Sequence, residues 1–180
     1  MIFVTVGNCN QGFGRLLGAV ERLAAQGLIA DEILVQAGNT SDFRAVHCKA
    51  VSFLPLAEFE QRLREARIIV SHAGCGTLIQ VFRAGKVPVV MPRRKRYGEH
   101  VDDHQVELVE VLAAEGRVIP AYEPEDLPAA IAEAGRRGAQ PAPPPPLRMI
   151  EMVSQAIDEL LTCRALKSGT LGSSAGQSSK

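Results

Sequence analysis

The sequence lacks the features that mark several large classes of protein. Among its 180 residues, 20 basic and 20 acidic side chains leave a formal net charge of zero, which argues against general affinity for nucleic acid. No apolar run approaches the ~20 residues that a membrane-spanning helix needs. No internal repeat is present, and the strand-like run from Met1 to Val4 leads us to expect no signal peptide.

Cysteines and metal-binding motifs are also scarce. The four cysteines form no CxxC pair, so we expect reduced thiols of a cytoplasmic protein rather than a zinc site or a disulfide framework. No DxD motif is present. A metal site built from Asp102, Asp103 and His104 is conceivable, but adjacent carboxylates point apart, so we predict none. The cysteines are Cys9, Cys48, Cys75 and Cys163.

Short β-branched runs alternate with segments of helical periodicity over residues 1–134. The predicted strands are residues 2–6, 32–37, 49–53, 68–70, 87–91 and 118–119. The predicted helices are residues 13–26, 56–66, 78–84, 103–115 and 125–134. This alternation predicts an α/β fold, with a Rossmann-like parallel sheet that carries helices on both faces.

Composition changes after residue 134. Residues 135–146 contain five prolines, which predicts a stiff, extended linker. Residues 147–166 return to helical periodicity, and we expect that helix to dock on the domain's own sheet rather than on a membrane surface. Residues 167–180 are rich in glycine and serine, which predicts a disordered tail.

Polar loops follow several of the predicted strands. They are Gly7-Asn8, Gly38-Asn39, residues 72–77 (HAGCGT) and residues 92–105 (PRRKRYGEHVDDHQ). The carboxyl ends of parallel strands share one edge of a sheet, so these loops are expected to converge on one ligand-binding crevice. The glycine turn at residues 72–77 also opens a helix, where free N–H groups favour an anion such as a diphosphate. A plain tight turn that needs glycine is the alternative.

Three of these segments together resemble the family 28 glycosyltransferases: Thr5-Val6-Gly7, residues 71–77 (SHAGCGT), and Pro92-Arg93 followed by residues 97–105 (YGEHVDDHQ). The resemblance covers residues 1 to about 134 and implies the donor-binding half of a GT-B enzyme. The chain is most similar to small, soluble catalytic subunits of two-part bacterial UDP-sugar transferases, which act in exopolysaccharide and capsule synthesis. Those are similar to the eukaryotic subunit that works with a membrane-anchored partner on dolichol diphosphate.

The resemblance implies a UDP-sugar site and a role for particular residues. The turn residues would present N–H groups to the diphosphate, and the Gly7-Asn8 turn would approach the phosphates, although Asn8 is also typical of an ordinary turn. Gln80 stands where the family often has a ribose-binding glutamate, so a hydrogen bond is kept and its charge assistance is lost. His104 and Gln105 match the pair that touches the sugar hydroxyls. The turn residues are Gly74, Cys75, Gly76 and Thr77.

The remaining candidates are titratable or charged. His72 would help to neutralise the leaving UDP, with a buried core histidine as the alternative, and we count it with His104 as catalytic. The basic run that begins with Arg93 and Arg94 is interpreted either as a solvated loop or as a contact for the donor diphosphate, an acidic sugar or a lipid diphosphate. Glu99 and Asp103, in the same loop, are counted as substrate-binding, although Asp103 is equally explained as a helix N-cap.

The function that the resemblance implies is transfer of a sugar from a UDP-sugar to a lipid-linked acceptor, with inversion of stereochemistry as in the family, and without metal or cofactor. We expect a heterodimer with a membrane-anchored, acceptor-binding subunit that recruits this chain to the inner face of the cell membrane, and no nucleic-acid partner. The donor sugar and the general base stay open. The alternative is a non-catalytic nucleotide-sugar-binding regulator or scaffold; a UDP-sugar epimerase is disfavoured because the chain is short.

Overall fold

The computed structural model describes residues 1–138, which lie in one compact unit built on a six-stranded parallel sheet. The order across the sheet is β3-β2-β1-β4-β5-β6. This confirms the predicted α/β class. The strands are β1 Ile2–Thr5, β2 Ile33–Gln36, β3 Lys49–Val51, β4 Ile68–His72, β5 Val89–Met91 and β6 Ile119–Pro120.

The described part of the chain contains five α-helices, of which four connect strands and the fifth follows β6. They are α1 Gly14–Ala25, α2 Leu56–Glu65, α3 Cys75–Arg83, α4 His104–Ala114 and α5 Leu127–Arg137. Two short 3-10 helices lie in the loops before α4 and α5, at Lys95–Tyr97 and Pro124–Asp126. The sequence predicted no helix at the first position and placed the start of the last helix at residue 125. Within residues 1–138 every predicted strand and helix is present, with ends that agree to within three residues.

The helices pack on both faces of the sheet because successive strand residues point to opposite sides. Val4 belongs to a core that α1 and α5 cover with leucine, isoleucine and alanine side chains. Its neighbour Phe3 belongs to a second core, formed with Phe59 of α2 and Val81 of α3. The rings of Phe3 and Phe59 meet edge to face, 5.5 Å between centroids. These two cores confirm helices on both faces.

Two helix boundaries differ from the prediction in ways that matter. Helix α3 begins at Cys75, three residues earlier than expected, so half of the glycine turn at residues 72–77 is the first helical turn. Helix α5 continues to Arg137, into the predicted linker. The rest of that linker, the predicted helix at residues 147–166 and the tail at residues 167–180 lie outside the described residues. Within residues 1–138, no helix combines the length and apolar character needed to cross a membrane.

The strand order indicates where along the sheet a ligand is expected to bind. From β1 the chain builds outward through β2 and β3, then returns to the other side of β1 with β4 and continues to β5 and β6. The direction of strand addition therefore reverses between β1 and β4, which pair in register from Ile2 with Ile68 to Thr5 with Ser71. In open parallel sheets, ligands bind at the carboxyl ends of the strands at such a reversal.

Candidate functional site

A cavity of about 380 Å³ lies at the carboxyl ends of β1 and β4. One part of its wall is backbone from the turns after these two strands, and another part is apolar side chains from the segment after β3. The structure thus brings together seven of the residues that the sequence analysis singled out. They are Gly7, Asn8, His72, Gly74, Gly76, Thr77 and Gln80.

The His72 ring is packed between two glycine turns. A Cβ atom on Gly7, whose φ is +71°, would lie 2.5 Å from Cε1 of the ring. A Cβ atom on Gly74 would lie 2.1 Å from its Nε2. Both distances are far below van der Waals contact, so no residue but glycine fits at either position without displacing the imidazole. These glycines therefore bring backbone against the His72 ring as well as forming turns.

Helix α3 presents its N-terminus to the cavity. Gly74 is the N-cap residue, and no side chain caps the helix there. The first helical hydrogen bond runs from Leu78 N to Gly74 O, at 3.0 Å. The N–H groups of Cys75, Gly76 and Thr77 precede this bond and have no acceptor within the helix. Together with the positive end of the helix dipole, they make a site for an anion.

The surroundings of His72 favour a neutral imidazole. Its side chain is 7% exposed, and burial followed by the positive charge of Arg93 lowers the pKa of the imidazole to about 4, with the Thr5 backbone opposing the shift. The catalytic role of His72 toward the leaving diphosphate stays a prediction, and burial favours the uncharged form of the ring in the unliganded protein. A neutral imidazole can still donate one N–H bond.

Another part of the cavity wall is apolar, and the sequence analysis missed it. Phe53, Leu54 and Leu56 line it, with Phe59 from α2. Phe53 and Leu56 are exposed although they are large and apolar. The signal in the sequence is an apolar pair, Phe53-Leu54, at the end of the strand predicted over residues 49–53. Such a wall suits a flat, weakly polar group such as a nucleobase.

Two glutamines complete this wall. Gln36 Oε1 accepts a hydrogen bond from Leu54 N at 3.0 Å, which ties the apolar segment to the end of β2. Gln80 of α3 has a buried Oε1 that accepts no hydrogen bond from the described residues. An unused acceptor on the cavity wall is available to a ligand hydroxyl. Gln36 was not among the predicted site residues.

Arg93 is not an exposed anion-binding side chain, which corrects the prediction from the basic run. It is 1% exposed and does not line the cavity. Its guanidinium instead donates to four backbone carbonyls, through Nη1 to three of them and through Nη2 to the fourth. The acceptors are Gln11 at 2.9 Å, Gly12 at 3.0 Å and Glu99 at 3.2 Å, and then Val6 at 3.0 Å.

Glu99 and Arg94 are likewise held by protein groups rather than turned to the cavity. Both carboxylate oxygens of Glu99 accept from Arg15, each at 2.9 Å, and one also accepts from Arg94 N at 3.0 Å. The Arg94 guanidinium lies 3.6 Å from Glu123, which also pairs with Arg96. Arg15, which the sequence analysis did not single out, is the centre of this network. Direct substrate contact by Glu99 gains no support from this geometry.

The residues at the start of α4 lie beside this network and do not line the cavity. Gln105 Oε1 accepts from Arg93 N at 3.0 Å, and Asp103 Oδ1 accepts from Lys95 N at 2.9 Å. Asp103 is at the N-cap position of α4, but its side chain does not cap the helix. The predicted sugar-binding role of Gln105 and of His104 therefore stays a prediction.

Asp102 joins two histidines in the same loop. Its carboxylate oxygens lie 2.9 Å from His100 Nδ1 and 2.8 Å from His104 Nδ1. The hydrogen bond to Asp102 raises the pKa of His104, whose side chain is 77% exposed. Within residues 1–138, no three histidine, cysteine or acidic side chains are arranged to hold a metal ion.

Comparisons with known proteins agree with this fold. UDP-N-acetylglucosamine transferase subunit ALG13 of Yarrowia lipolytica is 33% identical over 79 residues, which is 42% of this chain and 38% of that protein. A kitacinnamycin glycotransferase superposes with a TM-score of 0.54 at 17% identity, covering 75% of this chain and 35% of that one. MurG of Acinetobacter baumannii superposes with a TM-score of 0.50 at 21% identity, covering 77% and 46%.

The chain thus spans well under half the length of the curated relative that it matches. The two structures, at their low identity, bear on the fold alone, and they share the parallel α/β architecture described above. The model of the glycosyltransferase family 28 C-terminal domain matches residues 1–160, which is most of the sequence. The chain therefore belongs to the glycosyltransferase family 28 C-terminal domain family.

Proposed function

We propose that this chain is the donor-binding, catalytic subunit of a transferase that moves a sugar from a UDP-sugar to a lipid-linked acceptor in exopolysaccharide or capsule synthesis. One observation carries the proposal. The uncapped N-terminus of α3 opens into a cavity at the reversal point of the sheet, and apolar side chains line another part of the same cavity. A nucleoside diphosphate has the two matching parts, an anion and a flat base.

We place the diphosphate of the donor at the first turn of α3. Three N–H groups, of Cys75, Gly76 and Thr77, are free to bind phosphate oxygens there, and their positions are fixed by the helix before the ligand arrives. His72 lies buried beside this turn and contributes a neutral N–H donor. These dipoles stabilise the charge that builds on UDP as its bond to the sugar breaks. We therefore propose that binding needs no divalent metal, in line with the absence of a DxD motif.

The nucleoside is placed along the apolar wall. Phe53, Leu54 and Leu56 would contact the uracil ring, and the buried Oε1 of Gln80 would accept a hydrogen bond from a ribose hydroxyl. In this arrangement the nucleoside lies along the apolar wall, the diphosphate lies at the first turn of α3, and the sugar follows the diphosphate. His104 and Gln105 lie in the α4 turn and would meet the sugar hydroxyls there.

The proposed reaction is a displacement at the anomeric carbon. The acceptor hydroxyl oxygen forms the new bond to that carbon, the bond to the diphosphate oxygen breaks, and UDP leaves with the electron pair, so the configuration inverts. The hydroxyl proton passes to a general base that we assign to the partner subunit. Catalysis by this chain is then the positioning of the donor and the stabilisation of the leaving group.

The proposal includes a second, membrane-anchored subunit that holds the acceptor. The described residues form one parallel sheet, whereas a GT-B transferase closes two such domains around its substrates. The curated relative carries the word subunit in its name, and that name states the donor UDP-N-acetylglucosamine. On this reasoning the chain works on the cytoplasmic side of the membrane through its partner, and the chain alone transfers little or no sugar.

Calorimetry with UDP in excess chelator tests the donor site. We expect binding without added metal, and the same affinity after magnesium is restored. UMP, which lacks the second phosphate, should bind more weakly because it leaves part of the α3 turn unfilled. The absence of UDP binding, or its loss on chelation, would contradict the metal-free site.

A transfer assay with the partner and a lipid-diphosphate sugar acceptor separates catalysis from the alternative of a non-catalytic nucleotide-sugar-binding subunit. Gln80, in place of a glutamate, is the feature that favours this alternative, because it weakens a ribose contact. We expect His104→Ala and Gln105→Ala to lower transfer while UDP affinity is retained. His47→Ala, which changes a half-exposed histidine outside the cavity, is the control. Equal transfer in all variants would support the non-catalytic function.

A further inference from the structure

Arg93 is a buried cation that joins two loops at the carboxyl edge of the sheet. Three of its four carbonyl acceptors, Val6, Gln11 and Gly12, lie between the end of β1 and the start of α1. The fourth, Glu99, lies in the loop before α4. Arg93 itself follows β5. A single side chain therefore fixes the loop that carries Gly7 against the loop that carries the basic run.

Two further contacts hold the guanidinium in this place. It lies 4.7 Å from the centroid of the Phe13 ring, which is fully buried at the start of α1. On the backbone side, Arg93 N donates to Gln105 Oε1. The side chain has no freedom to turn towards a ligand while these bonds exist. Its charge is permanent, because an arginine stays protonated in proteins even when burial lowers its pKa.

The position of Gly7 depends on this bonding. The Val6 carbonyl that accepts from Nη2 belongs to the peptide unit whose nitrogen is that of Gly7. Gly7 in turn lies against the His72 ring in the cavity wall. Arg93 also acts on His72 through its charge, which together with that of His100 and with burial disfavours a protonated imidazole, against the Thr5 backbone. Arg93 thus reaches two parts of the cavity that it does not touch.

We propose that Arg93 is a positioning residue for the diphosphate site, acting through the Val6–Gly7 peptide, which its guanidinium holds against the loop before α4. The inference rests on the proposed UDP site. It predicts that a lysine is a poor substitute. A guanidinium offers five N–H donors in one plane and here serves four carbonyls from separate segments, whereas an ammonium offers three donors on a single nitrogen.

The test compares Arg93→Met, Arg93→Lys and Arg117→Met. Arg117 is the matched control, since it is also 1% exposed and lies over an aromatic ring, that of Phe82, but it is outside the cavity wall. Three measurements are made on the full chain: urea unfolding, the pH titration of the His72 ring by NMR, and calorimetry with UDP.

We expect all three variants to unfold at lower urea. UDP affinity should fall by about tenfold or more in both Arg93 variants, and by less than about twofold in Arg117→Met. The pKa of His72 should rise in Arg93→Met and stay near its original value in Arg93→Lys, which keeps the charge. Should Arg93→Met fail to fold, Arg93→Lys still separates geometry from charge.

Two results would overturn the inference. One is UDP affinity in Arg93→Lys equal to that of Arg117→Met, which would mean that Arg93 only stabilises the fold. The other is an unchanged His72 titration in Arg93→Met. If the unaltered chain does not bind UDP, the proposed function fails, but the His72 titration still decides whether Arg93 acts on the cavity.

Discussion

The crevice between β1 and β4 and the loop of residues 92–105 lie on the same edge of the sheet but satisfy their polar groups differently. In the loop, charged side chains bond to one another and to backbone: Arg15 holds Glu99, and Arg93 holds four carbonyls. In the crevice, the first turn of α3 has no cap, and Gln80 has an unused buried acceptor.

This difference distinguishes the residues that hold the loop in its shape from the groups in the crevice that can bind a ligand. Most of the charged residues that look chemically active in the sequence are internally paired, so they set the shape of the loop. The groups left for a ligand are backbone N–H groups, a neutral histidine and apolar side chains. A ligand gains most where buried polar groups have no other partner, because such groups are costly to leave unsatisfied.

The largest expected effect comes from closing the crevice with a single methyl group. In Gly74→Ala the added Cβ would lie 2.1 Å from His72 Nε2, so the imidazole or the turn must move. Displacement of a catalytic group by about 1 Å costs on the order of 100-fold in rate, so transfer should fall by about that factor. Overpacking should also cost about 1–3 kcal/mol in the free energy of unfolding. Transfer assays and urea unfolding measure the two losses.

Gly18→Ala is the control for this change, since its Cβ would meet only Arg22 Nη1 at 3.6 Å, an ordinary contact. Alanine has the higher helix propensity, so α1 should be slightly stabilised and transfer unchanged. Equal transfer by Gly74→Ala and Gly18→Ala would show that the packing of His72 between the two glycine turns has no part in the site.

The second largest effect is expected on stability, when the Arg15–Glu99 pair that holds the loop of residues 92–105 is broken. Arg15→Met leaves the Glu99 carboxylate, which is almost fully buried, without its bidentate partner. Breaking such a pair should cost about 3 kcal/mol in the free energy of unfolding, measured in urea at neutral pH. Adding Glu99→Gln should restore part of the loss. Lys49→Met, which breaks an exposed pair with Glu32, should have no measurable effect. Similar losses in both single variants would remove the distinction between the two pairs.

The fold could be predicted from sequence because its signals are local. Residues 68–70 are a β-branched run, and the segment before Gly27 has one apolar face, so each element could be assigned by itself. Parallel strands then place all their following loops on one edge, which correctly brought Gly7 and Gly74 together. Resemblance to the family supplied the ligand class, which composition and periodicity do not contain.

What could not be predicted depends on contacts between distant residues. The burial of Arg93 follows from carbonyls up to 87 positions away in the chain, so the local run of basic residues suggested exposure instead. Nothing in the sequence of α1 indicates the role of Arg15, because its partner Glu99 is 84 positions away in the chain. Val111 looks like a core residue of α4 but is exposed, because only Val109 and Leu112 face inward among its neighbours.

The smallest expected effect distinguishes the histidine of the crevice from that of the loop by their response to pH. The pKa of His72 is lowered from 6.5 to about 4, mainly by burial, whereas a hydrogen bond to Asp102 raises that of exposed His104. NMR titration should therefore find the two rings on opposite sides of their common reference value. Both rings titrating near 6.5 would show that neither environment acts as the structure implies.

The same shift makes stability depend on pH in a defined window. Below 6.5 the unfolded chain protonates His72 while the folded chain does not, so the free energy of unfolding falls as pH drops from 6.5 to about 4. The contribution is fully present above 6.5 and is at most roughly 3 kcal/mol. His104 acts in the opposite sense: its contribution is present below 6.5 and is lost as pH rises through its raised pKa.

Urea unfolding of the unaltered chain and of His72→Asn, from pH 7.5 to pH 4.5, isolates the first effect, because His104 and the carboxylates are common to both. We expect the stability of the unaltered chain to fall more steeply with acid; parallel curves would mean that His72 is protonated in the folded state.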